Sequence, residues 1–175
     1  MTSNTGRIEP SHEERYNVNR NENSAEEKYK QIPIGDIDAF AWTYAQKTGE
    51  LQQDGKHVAT GYSGAGGGKN NPNMQAVPNV GPIPQGDWTI VGPPVNTPDH
   101  GPYVLKLQPS AETNTFGRSG FLMHGNSIES PGCASHGCVI LPRPVREQVW
   151  NSGDMQLEVV PESATEGVET GPRRA

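Results

Sequence analysis

The chain has 175 residues, a net charge of −6 and a hydrophobic content of only 31%. Its 21 glycines and 16 prolines exceed the usual combined share of ~12%, and both residues break helices, which excludes a helical bundle. No stretch approaches the roughly 18 consecutive apolar residues of a membrane helix. A net acidic chain also lacks the basic stripes of nucleic-acid binders. The composition therefore predicts one turn-rich, mainly β domain that neither spans a membrane nor binds nucleic acid.

Both ends of the chain have the composition of polar tails. Residues 1–36 are rich in charge and contain no Trp or Phe, and residues 161–175 contain no aromatic residue. Such segments bury too little apolar area to offset the entropy of ordering them, so we expect both to be disordered. The domain between them, residues 37–160, is long enough for one core. The first residues lack the basic, apolar and small regions of a secretory signal, so we expect no export by the general route.

Within the domain, apolar residues alternate with a period of two. Phe40, Trp42 and Tyr44 predict a half-buried strand, and Asp54-Gly55 predicts a two-residue hairpin turn between the strands Leu51–Gln53 and His57–Gly61. Further short strands are predicted at Trp88–Ile90, Tyr103–Leu107, Phe121–Met123, Cys138–Leu141 and Met155–Val160.

One segment, Pro142–Trp150, has a helical pattern, with Pro near its start and Val145 and Val149 on one face. Short strands separated by turn signals predict a β-sandwich or a partly closed barrel that carries this one short helix.

The residues with the most chemical potential lie in the window Phe121–Leu141, which contains both cysteines and two of the five histidines. Cys138 follows Gly137 where a loop enters a strand, and His124 ends the preceding apolar run. An imidazole at an adjacent strand end can lower the pKa of a thiol or accept its proton. A glycine before the cysteine lets backbone amides face a reacting carbonyl oxygen. The window is therefore a candidate nucleophile–base site.

Other interpretations of this window stay open at this point. A buried cysteine is most often a small hydrophobic residue. Zinc favours His and Cys ligands, and His124, Cys133, His136 and Cys138 lie within a short span, although without the paired spacing of structural zinc sites. A disulfide between Cys133 and Cys138 is feasible in an oxidising compartment.

The glycine-rich stretch Gly61–Gly68 precedes Lys69 but does not match a phosphate-binding P-loop, because Asn70 stands where Ser or Thr is required. We expect this stretch to form a cleft wall or a long turn.

Several separated motifs resemble one enzyme family. Ser135–Cys138 (SHGC), with His124-Gly125 upstream, resembles the signature of the YkuD-type L,D-transpeptidases, which are cysteine enzymes of bacterial cell-wall metabolism. Gly81–Trp88 resembles the start of a strand in the same family. Gly61–Gly86 and Phe116–Leu141 resemble more closely the type VI secretion L,D-transpeptidase effectors. The resemblance covers about residues 40–160 and implies a YkuD-like L,D-transpeptidase fold, a β-sandwich or partly closed barrel.

The resemblance implies a role for each matching residue. Cys138 is the nucleophile, His124 is its base, and the carbonyl of Gly125 orients the imidazole. The amides around Gly137 and Cys138 form the oxyanion hole. The supporting and substrate-binding residues that it implies are His136, Ser135, Tyr62, Asn70 and Asn71.

The chain departs from the broad family at Ile140, where many members carry Arg or Asn. An arginine that holds the substrate's carboxylate must then come from elsewhere, and Arg118 and Arg143 are the candidates.

The implied function is that of an antibacterial effector. It trims peptidoglycan stem tetrapeptides as an L,D-carboxypeptidase and exchanges or cross-links them as an L,D-transpeptidase, through a thioester and without a cofactor or metal. The implied partners are stem peptides, an immunity protein and the type VI secretion machinery, and we expect a monomer that is secreted and acts in the periplasm of target bacteria. The alternatives are a zinc-stabilised wall-binding module without turnover and a housekeeping L,D-transpeptidase.

Overall fold

The computed structural model describes residues 42–163. The predicted N-terminal tail and most of the predicted C-terminal tail lie outside the described residues. The described part is mainly β with one α-helix, as the sequence predicted. Its strands are β1 (Trp42–Ala45), β2 (Glu50–Gln53), β3 (Lys56–Thr60), β4 (Tyr62–Ser63), β5 (Gly86–Thr97), β6 (Gly101–Pro109), β7 (Leu122–His124), β8 (Val139–Ile140) and β9 (Gln156–Val160); the helix is α1 (Arg143–Asn151).

All nine strands belong to one sheet, in the order β3-β2-β1-β9-β5-β6-β7-β8-β4. The pairs β1–β9 and β7–β8 are parallel, and the other pairs are antiparallel. The two edge strands, β3 and β4, are consecutive in the chain and only Gly61 separates them. The sheet therefore curls until its edges approach each other at Gly61, although it is not closed by pairing. A Cβ at Gly61 would lie 1.9 Å from the Ile140 carbonyl oxygen, so this corner requires glycine.

The hairpin predicted at Asp54-Gly55 is confirmed. Both residues have positive φ, 49° at Asp54 and 75° at Gly55, as a type I′ turn requires. This turn matches the right-handed twist of β2 and β3, and it leaves β3 as the outermost strand of the sheet.

The glycine-rich stretch is not only a loop, which corrects one expectation. Tyr62 and Ser63 form β4, pair with Ile140 and Val139 of β8, and are buried. A strand of two residues is too short to show a period, and the glycines around it hide its signal. The rest of the stretch contains a 3-10 turn at Gly66–Gly68.

The core lies inside the curl of the sheet and under α1. Its fully buried side chains include Trp42, Trp88, Leu105, Met123 and Leu157. The helix packs against β6 and β7, with Val149 fully buried and Val145 partly buried against the core, which confirms the predicted apolar face. Strand β7 pairs with β8, and those two strands carry the candidate site.

Candidate functional site

The parallel pairing of β7 and β8 brings His124 and Cys138 to one place. Met123 lies opposite Val139, and His124 lies opposite Ile140. Extending that register by one residue places Cys138 beside Leu122, two positions before His124. Residues two apart on a strand share a face, so both side chains point to the same side of the sheet. There they line one cavity of about 350 Å³.

His124 is arranged as a neutral base. Its side chain is 3% exposed, and Nδ1 lies 2.8 Å from the Gly125 carbonyl oxygen. A carbonyl only accepts hydrogen bonds, so Nδ1 carries the proton and Nε2 carries the lone pair. Nε2 is buried and has no hydrogen-bond partner among the described residues. Burial lowers the pKa of His124 to about 4, opposed by the Gly125 carbonyl and reinforced by His100, Arg146 and His136.

Cys138 is half-buried, and its Sγ lies 3.9 Å from the Gly120 carbonyl oxygen. Burial raises the pKa of the thiol, while the backbone amide of Leu122 and the charge of Arg118 act in the opposite direction. A raised thiol pKa beside a lowered imidazole pKa favours neutral forms of both groups at pH 7. Proton transfer from Sγ to His124 would then accompany attack on a substrate rather than precede it.

Ser135 organises the loop that leads to Cys138. Its side chain is fully buried; Oγ accepts hydrogen bonds from the amides of Gly64 (2.9 Å) and Gly137 (3.1 Å) and donates to the Cys138 carbonyl oxygen (2.6 Å). These bonds give Ser135 a bracing role, and Ser135 does not line the cavity that contains Cys138. The Gly137 amide is already engaged, so the amide of Cys138 is the better candidate for the oxyanion hole.

Arg118 lines the same cavity and is 9% exposed. Its two terminal nitrogens donate to four main-chain carbonyls, those of Gln75, Gly81, Pro82 and His136. Each terminal nitrogen of a guanidinium carries two N–H groups, so all four are in use. In this arrangement Arg118 ties two loops together and adds positive charge near Cys138. Its predicted role in holding a substrate carboxylate remains a prediction.

The other predicted substrate-binding residues lie elsewhere. The Tyr62 hydroxyl donates to Asn126 Oδ1 (2.7 Å) and accepts from the Ala134 amide (3.0 Å), so it braces the loop between β7 and β8. Asn70 and Asn71 line a separate cavity of about 400 Å³. Asn70 Oδ1 accepts from the Ser63 amide, and Asn71 donates to the Gly67 carbonyl oxygen. These contacts are structural, and substrate binding by these residues stays a prediction.

A second cavity, of about 690 Å³, adjoins the first. His124, His100, Ala134 and His136 line both cavities, so the candidate base stands at their junction. Arg143 lines only this second cavity and forms an exposed ion pair with Glu147 (2.8 Å). His136 is exposed, while its carbonyl accepts from Arg118.

Sequence reasoning missed His100 and Arg146. His100 lies in the turn between β5 and β6, and its ring packs edge-to-face on His124 with 4.7 Å between centroids. Arg146 is 3% exposed, although it lies on the helix that follows β8. The only sequence signals were a lone histidine in a Pro- and Gly-flanked turn and one arginine in a polar helix, and neither has a motif.

The structure bears on two other interpretations of the cysteines, a disulfide between Cys133 and Cys138 and a zinc site. Both cysteines are free, and Cys133 is exposed. Within residues 42–163, no group of three or more His, Cys, Asp or Glu side chains could hold a metal ion. In the same range no helix is long and apolar enough to cross a membrane.

The fold and the site together define a small mainly β domain with a free cysteine and a buried, neutral histidine in one cavity. A family model described as the Tlde1 domain matches residues 57–162, which is more than half of the chain and includes both side chains. The chain belongs to this family of type VI secretion effectors, which is related to the L,D-transpeptidases. Searches of curated proteins and of solved structures found no significant match.

Proposed function

We propose that this protein is a cysteine-dependent L,D-carboxypeptidase and L,D-transpeptidase that acts on peptidoglycan stem tetrapeptides. Cys138 supplies the nucleophile, His124 is the general base and acid, and the Gly125 carbonyl fixes the imidazole. Family membership supports the effector class and the cell wall as its target. The cavity geometry supports the roles of the individual residues.

The reaction begins at the carbonyl between the third residue of the stem and its terminal D-alanine. Cys138 Sγ attacks this carbon, the thiol proton moves to His124 Nε2, and the oxyanion faces the amide of Cys138. When the intermediate collapses, the C–N bond breaks and His124 returns the proton to the leaving amine. Water then hydrolyses the thioester to a tripeptide, a free D-amino acid gives exchange, or a neighbouring stem gives a cross-link.

The observation that carries this proposal is the state of His124 Nε2. It is a buried lone pair without a partner among the described residues, and the His124 side chain lines the same cavity as Cys138. Leaving a buried polar atom unpaired costs stability, so such an atom at a cavity calls for a functional explanation. A base that receives a proton only during the reaction provides one.

The decisive experiment is conversion of purified tetrapeptide muropeptides to tripeptides, followed by chromatography and mass spectrometry. We expect Cys138→Ala to abolish conversion and His124→Ala to lower it by at least about 100-fold, as for loss of a general base. Cys133→Ser is the matched control, because it removes the other, exposed thiol, and we expect it to retain conversion. Full activity in Cys138→Ala, with the fold verified by circular dichroism, would refute the proposal.

The biological setting belongs to the same proposal. As an effector the protein is delivered by the type VI machinery, acts in the periplasm of a target bacterium as a monomer, and is neutralised by an immunity protein in the producing cell. Trimming and exchange deplete the tetrapeptide donors that the target needs for cross-linking. Forced periplasmic expression should lyse cells with the wild-type chain and spare them with Cys138→Ala.

A further inference from the structure

The second cavity is lined by a buried arginine, Arg146, one of whose nitrogens has no hydrogen-bond acceptor among the described residues. Arg146 Nε donates to the Leu141 carbonyl oxygen (3.0 Å), and Nη1 donates to the carbonyl oxygens of Pro102 (2.9 Å) and Tyr103. Within residues 42–163, Nη2 has no hydrogen-bond acceptor and Arg146 has no carboxylate in an ion pair. Nη2 lies beside Gly125, where an added Cβ would be 3.0 Å away.

A guanidinium that is 97% buried without a counter-ion is costly, because its charge has lost its hydration. Burial lowers the pKa of Arg146, and the neighbouring charge of Arg143 does so as well, while Glu147 acts in the opposite direction. The two N–H groups of Nη2 suit an acceptor with negative charge, and a carboxylate is the usual partner. Arg146 lines the second cavity and not the cavity that contains Cys138.

The other charges of this cavity restrict the ligand. Asp99 and Glu129 also line it, and their negative charges oppose a polyanion such as a phosphate. A zwitterion, with one carboxylate and one amine, suits a cavity that carries both signs. His124 lines both this cavity and the Cys138 cavity. Its imidazole is therefore placed to accept a proton from the amine of such a ligand.

We propose that the second cavity is the site of the amine acceptor and that Arg146 binds the carboxylate of an incoming D-amino acid. This inference rests on the proposed function. The ammonium group of the D-amino acid first loses one proton to solvent. The neutral amine nitrogen then attacks the thioester carbonyl, a second proton moves to His124 Nε2, and the C–S bond breaks. The sulfur leaves as a thiolate that takes the proton from His124, so thiol and imidazole are restored. Hydrolysis, which uses water, does not need the carboxylate contact.

The test compares two acceptors that differ only in charge, D-methionine and D-methioninamide, with the full chain and a tetrapeptide donor. For the wild type we expect kcat/KM for exchange to be about 10–100-fold higher with D-methionine, as for loss of a charge-assisted hydrogen bond. In Arg146→Met we expect this ratio to fall to about one, while hydrolysis of the donor alone continues. An unchanged ratio in a folded variant overturns the inference.

A second variant covers the case in which Arg146→Met does not fold. Gly125→Ala keeps the carbonyl that orients His124 and the three carbonyl contacts of Arg146, but it places a methyl group against Nη2. We expect the acceptor ratio to fall in this variant too. Arg143→Met is the matched comparison, because Arg143 lines the same cavity but is already paired with Glu147. It should change the ratio less than about fivefold, and a larger loss in Arg143→Met than in Arg146→Met overturns the assignment to Arg146.

A binding measurement separates this inference from the proposed function. In ¹⁵N-labelled Cys138→Ala protein, D-methionine should shift the Arg146 Nε–Hε resonance, assigned by its absence in Arg146→Lys, and D-methioninamide should not. If the wild-type chain did not convert muropeptides, the proposed function would be refuted. The shift with D-methionine would still demonstrate a carboxylate-binding site in that case. Equal shifts with both compounds, or no shift, overturn the inference.

Discussion

Two buried arginines, Arg118 and Arg146, flank the candidate site, and they differ in which nitrogen lacks an acceptor among the described residues: Nε in Arg118 and the terminal Nη2 in Arg146. Each donates to main-chain carbonyls that lie far from it in sequence. In Arg118 both terminal nitrogens are fully engaged, whereas in Arg146 only Nη1 and Nε are. Arg118 lines the cavity of the thiol, and Arg146 lines the adjoining one.

The comparison shows that burial of an arginine does not define its role. A guanidinium whose two terminal nitrogens both meet carbonyls satisfies loops that would otherwise contain unpaired acceptors, and it has no terminal N–H group left for a ligand. A guanidinium with one terminal nitrogen free, which carries two N–H groups, can brace the fold and bind a ligand at once. Three predictions, in order of decreasing effect, test this division between the two sides of the site.

The largest effect is expected for Arg118→Met. It leaves four carbonyl acceptors without their donor in the two loops that Arg118 joins. We expect the free energy of unfolding to fall by about 3–5 kcal/mol, because each buried acceptor that loses its donor is left desolvated without a hydrogen bond. Urea denaturation followed by tryptophan fluorescence measures this change. Arg143→Met, which removes an exposed ion pair, should cost less than about 1 kcal/mol. Equal losses in the two variants would contradict the bracing role.

A smaller effect is expected in the pH dependence of stability. The pKa of His124 is lowered to about 4 in the folded chain, against an ordinary value near 6.5 in the unfolded chain. Between these values the unfolded chain binds more protons, so stability is fully retained above about pH 6.5 and is lost as the pH falls toward 4. We expect His124 to account for about 2 kcal/mol of this loss, which allows for screening by water in the cavity.

His124→Gln provides the comparison for this effect. The difference in free energy of unfolding between wild type and His124→Gln should change by that amount between pH 7 and pH 4. His57→Gln alters an exposed histidine and should give a curve parallel to the wild type. Parallel curves for all three proteins would show that His124 titrates normally.

The smallest effect is expected for His100, which lines both cavities and packs edge-to-face on His124. An edge-to-face ring pair contributes about 0.5–1.5 kcal/mol, so His100→Ala should lower kcat/KM for tetrapeptide hydrolysis about 2–12-fold. His100→Phe keeps an aromatic ring and should recover most of the activity. If Phe and Ala behave alike, ring packing does not hold His124 in place.

Much of the local structure followed from sequence patterns. The alternation at Trp42 and Tyr44, the Asp54-Gly55 turn and the helix after Pro142 were predicted and are present. Strand β4 was missed, because Tyr62 and Ser63 form their only ladder with β8, which is far away in the chain. His100 was missed for a related reason, since its contact with His124 exists only after β6 and β7 pair.

The sequence by itself determined the mainly β class and, through its resemblance to known cell-wall enzymes, the effector family and the candidate pair Cys138 and His124. These depend on short-range patterns that side-chain type and spacing reveal. Only the tertiary structure decided what each arginine can do. Arg118 meets the Gly81 and Pro82 carbonyls, and Arg146 meets the Pro102 carbonyl, across long stretches of chain. A hydrogen bond depends on where acceptors lie in space, and the curl of the sheet, rather than any local motif, sets those positions.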